Sequence, residues 1–108
     1  MNEKALDREL GERGIKENPY FEIYKGIVRA LYQQPHVANA KFLDIVEIFK
    51  EVDKSVLEKL GEEAYGGRYT ETMRMALVSS AVDSLNGNMI KQEGCKYRLK
   101  GRFRSELR

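Results

Sequence analysis

The chain has 108 residues, 42% of them hydrophobic, with a formal net charge of +2, which suits one domain with a single core and is too little for two. No apolar run approaches membrane-span length and the first residues are highly charged, so neither a spanning helix nor a signal peptide is expected, and the location expected is cytoplasmic, nucleoid-associated if bacterial or archaeal. One cysteine and one histidine make neither an internal disulfide nor a four-ligand zinc site, and no metal or other cofactor is expected.

Residues 1–17 mix both charge signs around a thin Leu6/Leu10 stripe and read as a charged N-terminal arm or a short helix, with Gly11 and Gly14 stopping it. Asn18-Pro19 is a helix start, because Asn caps free amides and Pro suits the first helical position. From there Tyr20, Ile23, Tyr24, Ile27, Val28 and Leu31 recur at three and four through Tyr32, and Gln33-Gln34-Pro35 ends the run. His36 falls in the connecting loop with nothing nearby to partner it in catalysis or metal binding, so it reads as a surface residue. A second helix begins near Asn39, with Phe42, Leu43, Ile45, Val46, Phe49 and Val52 spaced for burial. Asp53 is placed to cap a further helix, Lys54 to Ala64, whose stripe is Val56, Leu57 and Leu60; one bent helix or two both fit. Tyr65-Gly66-Gly67 then breaks the chain.

The next helix spans about 69–85, with Met73, Leu77, Val78, Ala81, Val82 and Leu85 facing inward. Its outward stripe is Arg68, Thr72, Met75 and Ser79, with Arg74 beside it. Such a set can touch phosphates and base edges, since Arg grips guanine in two places, hydroxyls accept or donate, and apolar groups meet the thymine methyl. A solvated helix face with small polar residues accounts for it equally well.

Asn86-Gly87 ends that helix, and Met89 to Gln92 followed by a Glu93-Gly94 turn reads as the first arm of a hairpin. That turn sets Gln92 against Cys95, Lys91 against Lys96 and Ile90 against Tyr97. In the second arm Cys95, Tyr97, Leu99 and Phe103 fall on one parity and Lys96, Arg98, Lys100, Arg102 and Arg104 on the other, the pattern of a half-buried strand. Five cations then stand in a row over about 27 Å, and with no acid among them the row repels itself unless a polyanion lies alongside. The plainer account is an edge strand whose charges discourage pairing with other sheets. Residues 91–108 carry seven Lys or Arg against two Glu, which leaves residues 1–90 net negative and makes the hairpin the positive pole.

An enzyme is not expected, because no nucleophile–base set, phosphate-cradling glycine loop or carboxylate pair in apolar surroundings is present. Cys95 shares the inward parity and reads as core filler.

Helices at 19–33, 40–52 and 54–64, a Gly-Gly turn, a helix at 69–85 and a basic hairpin resemble a winged helix-turn-helix domain. The junction from Val82 to Lys91, then Lys96-Tyr97-Arg98-Leu99, is similar to that family's recognition helix ending in Leu, turning through Gly, and entering a wing that returns through Tyr-x-Leu. The resemblance implies a mainly α fold with a C-terminal β-hairpin, a winged helix-turn-helix with an extra helix, over residues 18–104, leaving 105–108 as a tail. It implies sequence-specific binding of double-stranded DNA, as in a small transcriptional or replication/segregation regulator. The 69–85 helix, with Arg68, Tyr69, Thr70, Thr72, Arg74, Met75 and Ser79, would enter the major groove. Lys91, Lys96, Arg98 and Lys100, with Arg102 and Arg104 beyond them, would hold the backbone. A homodimer is also implied, with Leu6/Leu10 or Phe103 and Leu107 as spare apolar surface. The alternative is a protein-binding adaptor using the same helix and hairpin on an acidic partner. Single-strand or RNA binding is disfavoured because Tyr97 and Phe103 turn inward.

Overall fold

The computed structural model describes residues 1–15, 20–33 and 43–108. In chain order the elements are α1 (Glu3–Glu12), α2 (Phe21–Tyr32), β1 (Leu43–Asp44), α3 (Ile45–Leu60), a π-helical turn (Glu62–Gly66), α4 (Glu71–Leu85), β2 (Ile90–Glu93), β3 (Lys96–Leu99) and α5 (Gly101–Glu106). The mainly helical fold with a C-terminal hairpin is as expected. The Asn18-Pro19 start, His36, and the Asn39 start with Phe42 lie outside the described residues.

The three-and-four spacing of α2 makes it the centre of the core: Ile27, Val28 and Leu31 are buried, packed with Ile48, Val52 and Val56 of α3 and Val78, Val82 and Leu85 of α4. The first helix is part of this core and not an arm. Leu6 and Leu10 are fully buried, a gain of about 1.5–3 kcal/mol each, and Asn2 caps the helix by accepting from the amides of Lys4 and Ala5. The chain ends meet, with the Asn2 amide donating to the Leu107 carbonyl at 2.8 Å. Phe103 and Leu107 are buried as well, so residues 105–108 are no loose tail. Neither apolar pair is available as the dimer surface suggested for it.

Ion pairs tie α1 to α2 and close its last turn. Arg29 of α2 grips Glu3 with Nε and Nη2 at 2.7 and 2.9 Å, and Arg13 donates from Nη1 to buried Glu9 at 2.8 Å. These hydrogen bonds hold both carboxyls below the usual glutamate value of 4.5. A depressed carboxylate binds its proton more readily in the unfolded chain, so its stabilising effect is full above about pH 4.5 and fades as pH falls through the folded value. Acidification is therefore expected to loosen α1 early. Protection factors of the Leu6 and Leu10 amides against hydrogen exchange should fall below that pH, and a Glu3→Gln/Glu9→Gln protein should show a flatter acid limb in its stability curve.

Of the two readings left open, one helix or two, the structure has one over Ile45–Leu60. No Gly or Pro interrupts residues 45–60, Asp44 caps the start by accepting from the Glu47 amide at 2.9 Å, and Gly61 ends it at φ +79°, a conformation costly for any residue with a Cβ. Asp53 is thus internal, not a cap, and of the further helix placed at 54–64 the residues up to Leu60 are the second half of α3, followed by the π-helical turn.

The sheet is antiparallel in the order β1–β3–β2. Its hairpin turns through Gly94-Cys95, one residue later than Glu93-Gly94, which pairs Ile90 with Leu99, Lys91 with Arg98, Gln92 with Tyr97 and Glu93 with Lys96. Gly94 sits at φ +59°, and a glycine in the first turn position suits the mirror-image turns that follow the strand twist, where Glu93 would be strained. Cys95 is consequently exposed at the tip and is not core filler.

The strand expected over 95–104 ends at Leu99, and helix α5 takes its place. Leu99, Phe103 and Leu107 recur every four residues, a spacing that satisfies strand and helix periods alike.

Candidate nucleic-acid interface

Thr70 begins α4 by accepting from the Met73 amide at 3.2 Å, so its hydroxyl already has a structural task. Val78, Ala81, Val82 and Leu85 are buried, and this fixes the outer face as Thr72, Met73, Ala76, Ser80 and Asp83, all exposed. The two methionines exchange the positions expected of them: Met73 is 48% exposed, whereas Met75 is half-buried against the core. Ser79 is half-buried too, and Tyr69 packs on the core beside Tyr65 with ring centroids 6.4 Å apart. Ala76 and Ser80 are surface positions that spacing alone passed over, because both methionines fit an apolar stripe and only the neighbouring helices choose between them.

Arg74 is committed inside the chain. Its Nε and Nη2 donate to the Asp53 carboxylate at 2.8 and 3.3 Å, and Nη1 donates to the Tyr69 carbonyl at 2.7 Å. The guanidinium carbon also lies 5.9 Å from the Tyr65 ring centre. Arg74 therefore locks α4 to α3, contrary to its expected place on the DNA face. Arg68, just before the cap, is exposed and makes no ion pair among the described residues.

The hairpin hangs directly from the end of α4. The Asn86 side-chain amide donates to Gln92 Oε1 at 2.7 Å, the Gly87 amide donates to the Ile90 carbonyl at 2.9 Å, and the Lys100 ammonium donates to the Gly87 carbonyl. Ile90 and Leu99 are buried and Tyr97 half-buried, so the opposite parity, Lys91, Glu93, Lys96 and Arg98, forms the outer face.

That face is not purely basic. In the register Lys96 stands between Glu93 on β2 and Asp44 on β1, two acidic neighbours with neither of which it forms an ion pair within 4 Å. The Asp44 carboxyl is in turn held below its usual range, chiefly by the Glu47 amide and to a lesser degree by Lys96. Lys91 faces Arg98 across the hairpin and reaches Glu93 at 3.5 Å.

Arg102 and Arg104 leave the strand for α5. Arg104 folds back, stacking 4.2 Å from the Tyr32 ring centre and donating to the Leu31 carbonyl, which removes it from any outer row. Arg102 is exposed without an ion pair among the described residues. The five-cation row therefore reduces to Lys91 and Arg98 on the hairpin, with Lys100 and Arg102 at its base and Arg68 at the other end of α4.

No family model matches this chain, and no curated protein or solved structure matches it either. Among the described residues, no helix is long and apolar enough to cross a membrane and no group of three or more His, Cys, Asp or Glu side chains is set to hold a metal.

Proposed function

We propose that this chain binds double-stranded DNA as a winged helix-turn-helix protein, with α4 in the major groove and the β2–β3 hairpin on the adjacent backbone. The observation that carries the proposal is the coupling of the two parts. The hairpin is bonded to the end of α4 through Asn86, Gly87 and Lys100, and it turns Lys91 and Arg98 away from the core. The order α3, short turn, α4, hairpin supports the winged-helix assignment. Thr72, Ala76 and Ser80 are small, which lets a helix seat closely against base edges, while Arg68 at its start is a candidate for guanine.

The test is a polarisation titration of the protein against random duplex DNA at two salt concentrations. Four or five phosphate contacts give a slope of log affinity on log salt of roughly −4. A slope near zero, or no binding at low salt, removes the proposal.

A second reading, a protein-binding adaptor, draws on one observation: the exposed face of α4 from Glu71 to Asp83 carries no free cation and two acids, which suits a protein surface better than a duplex and does not favour the acidic partner first expected. Retention of partners from nuclease-treated lysate, alongside a flat DNA titration, would favour it.

A further inference from the structure

Where the end of α3, the start of α4 and the start of α2 converge, Tyr20, Ile23, Leu60, Tyr69 and Leu77 line a largely apolar cleft of about 250 Å³. A second, more open cleft over Gly61, Glu62 and Glu63 shares Leu60 and Arg68 with it, so the two form one groove. Leu60 at the join is 44% exposed, Tyr20 is 40% exposed, and Met73, one helical turn before Leu77, is 48% exposed. Three of the five large apolar side chains exposed among the described residues therefore gather at this end of the fold. An exposed apolar patch with a polar rim marks a surface that another molecule covers.

The rim decides what kind of molecule that is. Residues 58–71 carry Glu58, Glu62, Glu63 and Glu71 against only Lys59 and Arg68, and Lys59 lies near enough to Glu3 of α1 to help hold that carboxyl down. Glu62 and Glu63 are exposed and make no ion pair among the described residues. The groove is thus the negative pole of a chain whose residues from 91 onward are positive. An acidic rim repels phosphate, which sets nucleic acid aside as the occupant, and it attracts and orients a cationic protein segment. A second copy of the chain offers charge but no anchor, because none of the exposed large apolar side chains belongs to the basic hairpin or its base.

We propose that this groove docks a basic, amphipathic segment of another protein. A large apolar side chain of the segment enters the cleft between Leu60 and Leu77, while its Lys or Arg residues lie along Glu62 and Glu63. Docking does not depend on the DNA assignment, since Leu60, Glu62 and Glu63 take no part in it. Arg68 borders both surfaces, and the variants that test the groove leave it intact.

The experiment is a fluorescence-anisotropy titration of the full chain against a labelled synthetic peptide with Leu and Phe on one helical face and Lys on the other. One control peptide carries Glu in place of Lys, and a second carries Ala in place of Leu and Phe. The basic amphipathic peptide is expected to bind saturably, each control at least roughly tenfold more weakly. Leu60→Ser should melt close to the wild type, because the side chain is exposed at a helix end, yet should bind the peptide roughly tenfold more weakly. Glu62→Gln/Glu63→Gln should lose affinity severalfold at low salt and less at high salt, where the rim charges are screened. The proposal is overturned by absence of saturable binding at millimolar peptide, by equal binding of either control, or by a Leu60→Ser protein that binds like the wild type. Sedimentation showing self-association that Leu60→Ser abolishes would assign the groove to a second copy and overturn it equally. Both variants leave the outer face of α4 and the hairpin unchanged, so each should keep the wild-type slope in the salt titration with DNA, and the two assignments fail separately.

Discussion

Replacing Arg74 with Ala is expected to destabilise the fold by about 3 kcal/mol, lowering the melting temperature by roughly 10 °C or more. The guanidinium places three donors on Asp53 and the Tyr69 carbonyl, and both side chains of the ion pair are largely covered, at 15% and 17% exposure. Truncating one partner leaves Asp53 as a carboxylate between α3 and α4 with nothing to offset its desolvation, the circumstance in which removing half of a covered pair costs most. The Asp53→Ala/Arg74→Ala double variant should therefore fall well short of the summed single losses, which a double-mutant cycle by thermal or urea melting measures. The same variant separates structure from recognition. With its donors committed inside the chain, Arg74 contributes nothing to a duplex, and DNA affinity per folded molecule should stay unchanged. A tenfold loss of DNA affinity at an unaltered melting temperature would show the opposite, that Arg74 leaves Asp53 for a phosphate or base.

Arg74 also marks the limit of what local pattern conveys. Periodicity sufficed for α2, where the apolar residues recur at one spacing and burial has a single solution, and for the existence of α4 and of the hairpin. It did not separate Met73 from Met75, since rotating α4 by a fraction of a turn leaves a usable stripe, and the choice is made by α2 and α3. β1 has two residues, too few to show alternation, although the Asp44–Glu47 spacing is a legible helix start. Leu99, Phe103 and Leu107 fit either period, and only the break at Gly101 distinguishes a helix after β3. Most consequential was the hairpin register. Moving the turn by one residue replaces the Lys91–Lys96 opposition with Glu93–Lys96, and that shift brings an acid onto a face that had seemed uniformly basic. Asp44 could be placed beside Lys96 only once β1 was known.

This redistribution of charge decides which hairpin cations should matter. Lys96→Ala is expected to weaken binding to any duplex no more than severalfold, one positive charge being lost beside Glu93 and Asp44. The Lys91→Ala/Arg98→Ala/Arg102→Ala protein should instead lose roughly a hundredfold in affinity for any duplex at low salt, with its salt slope falling by about three units. Lys91, Arg98 and Arg102 all lie at or beside the junction with α4, and each would release one condensed counterion on meeting a phosphate. Lys100 is left out of the set since its ammonium holds the Gly87 carbonyl, so its loss would disturb the turn as well as the charge. The loss should be the same for all sequences, because phosphate contacts carry no base information. Arg68→Ala should behave differently, lowering affinity for a selected site while leaving random-duplex binding close to wild type. Polarisation titrations of the three proteins at two salt concentrations decide the matter. Equal slopes for wild type and the triple variant would place the DNA contact elsewhere on the surface, and a Lys96→Ala loss as large as that of the triple variant would mean that Lys96 itself carries the main contact.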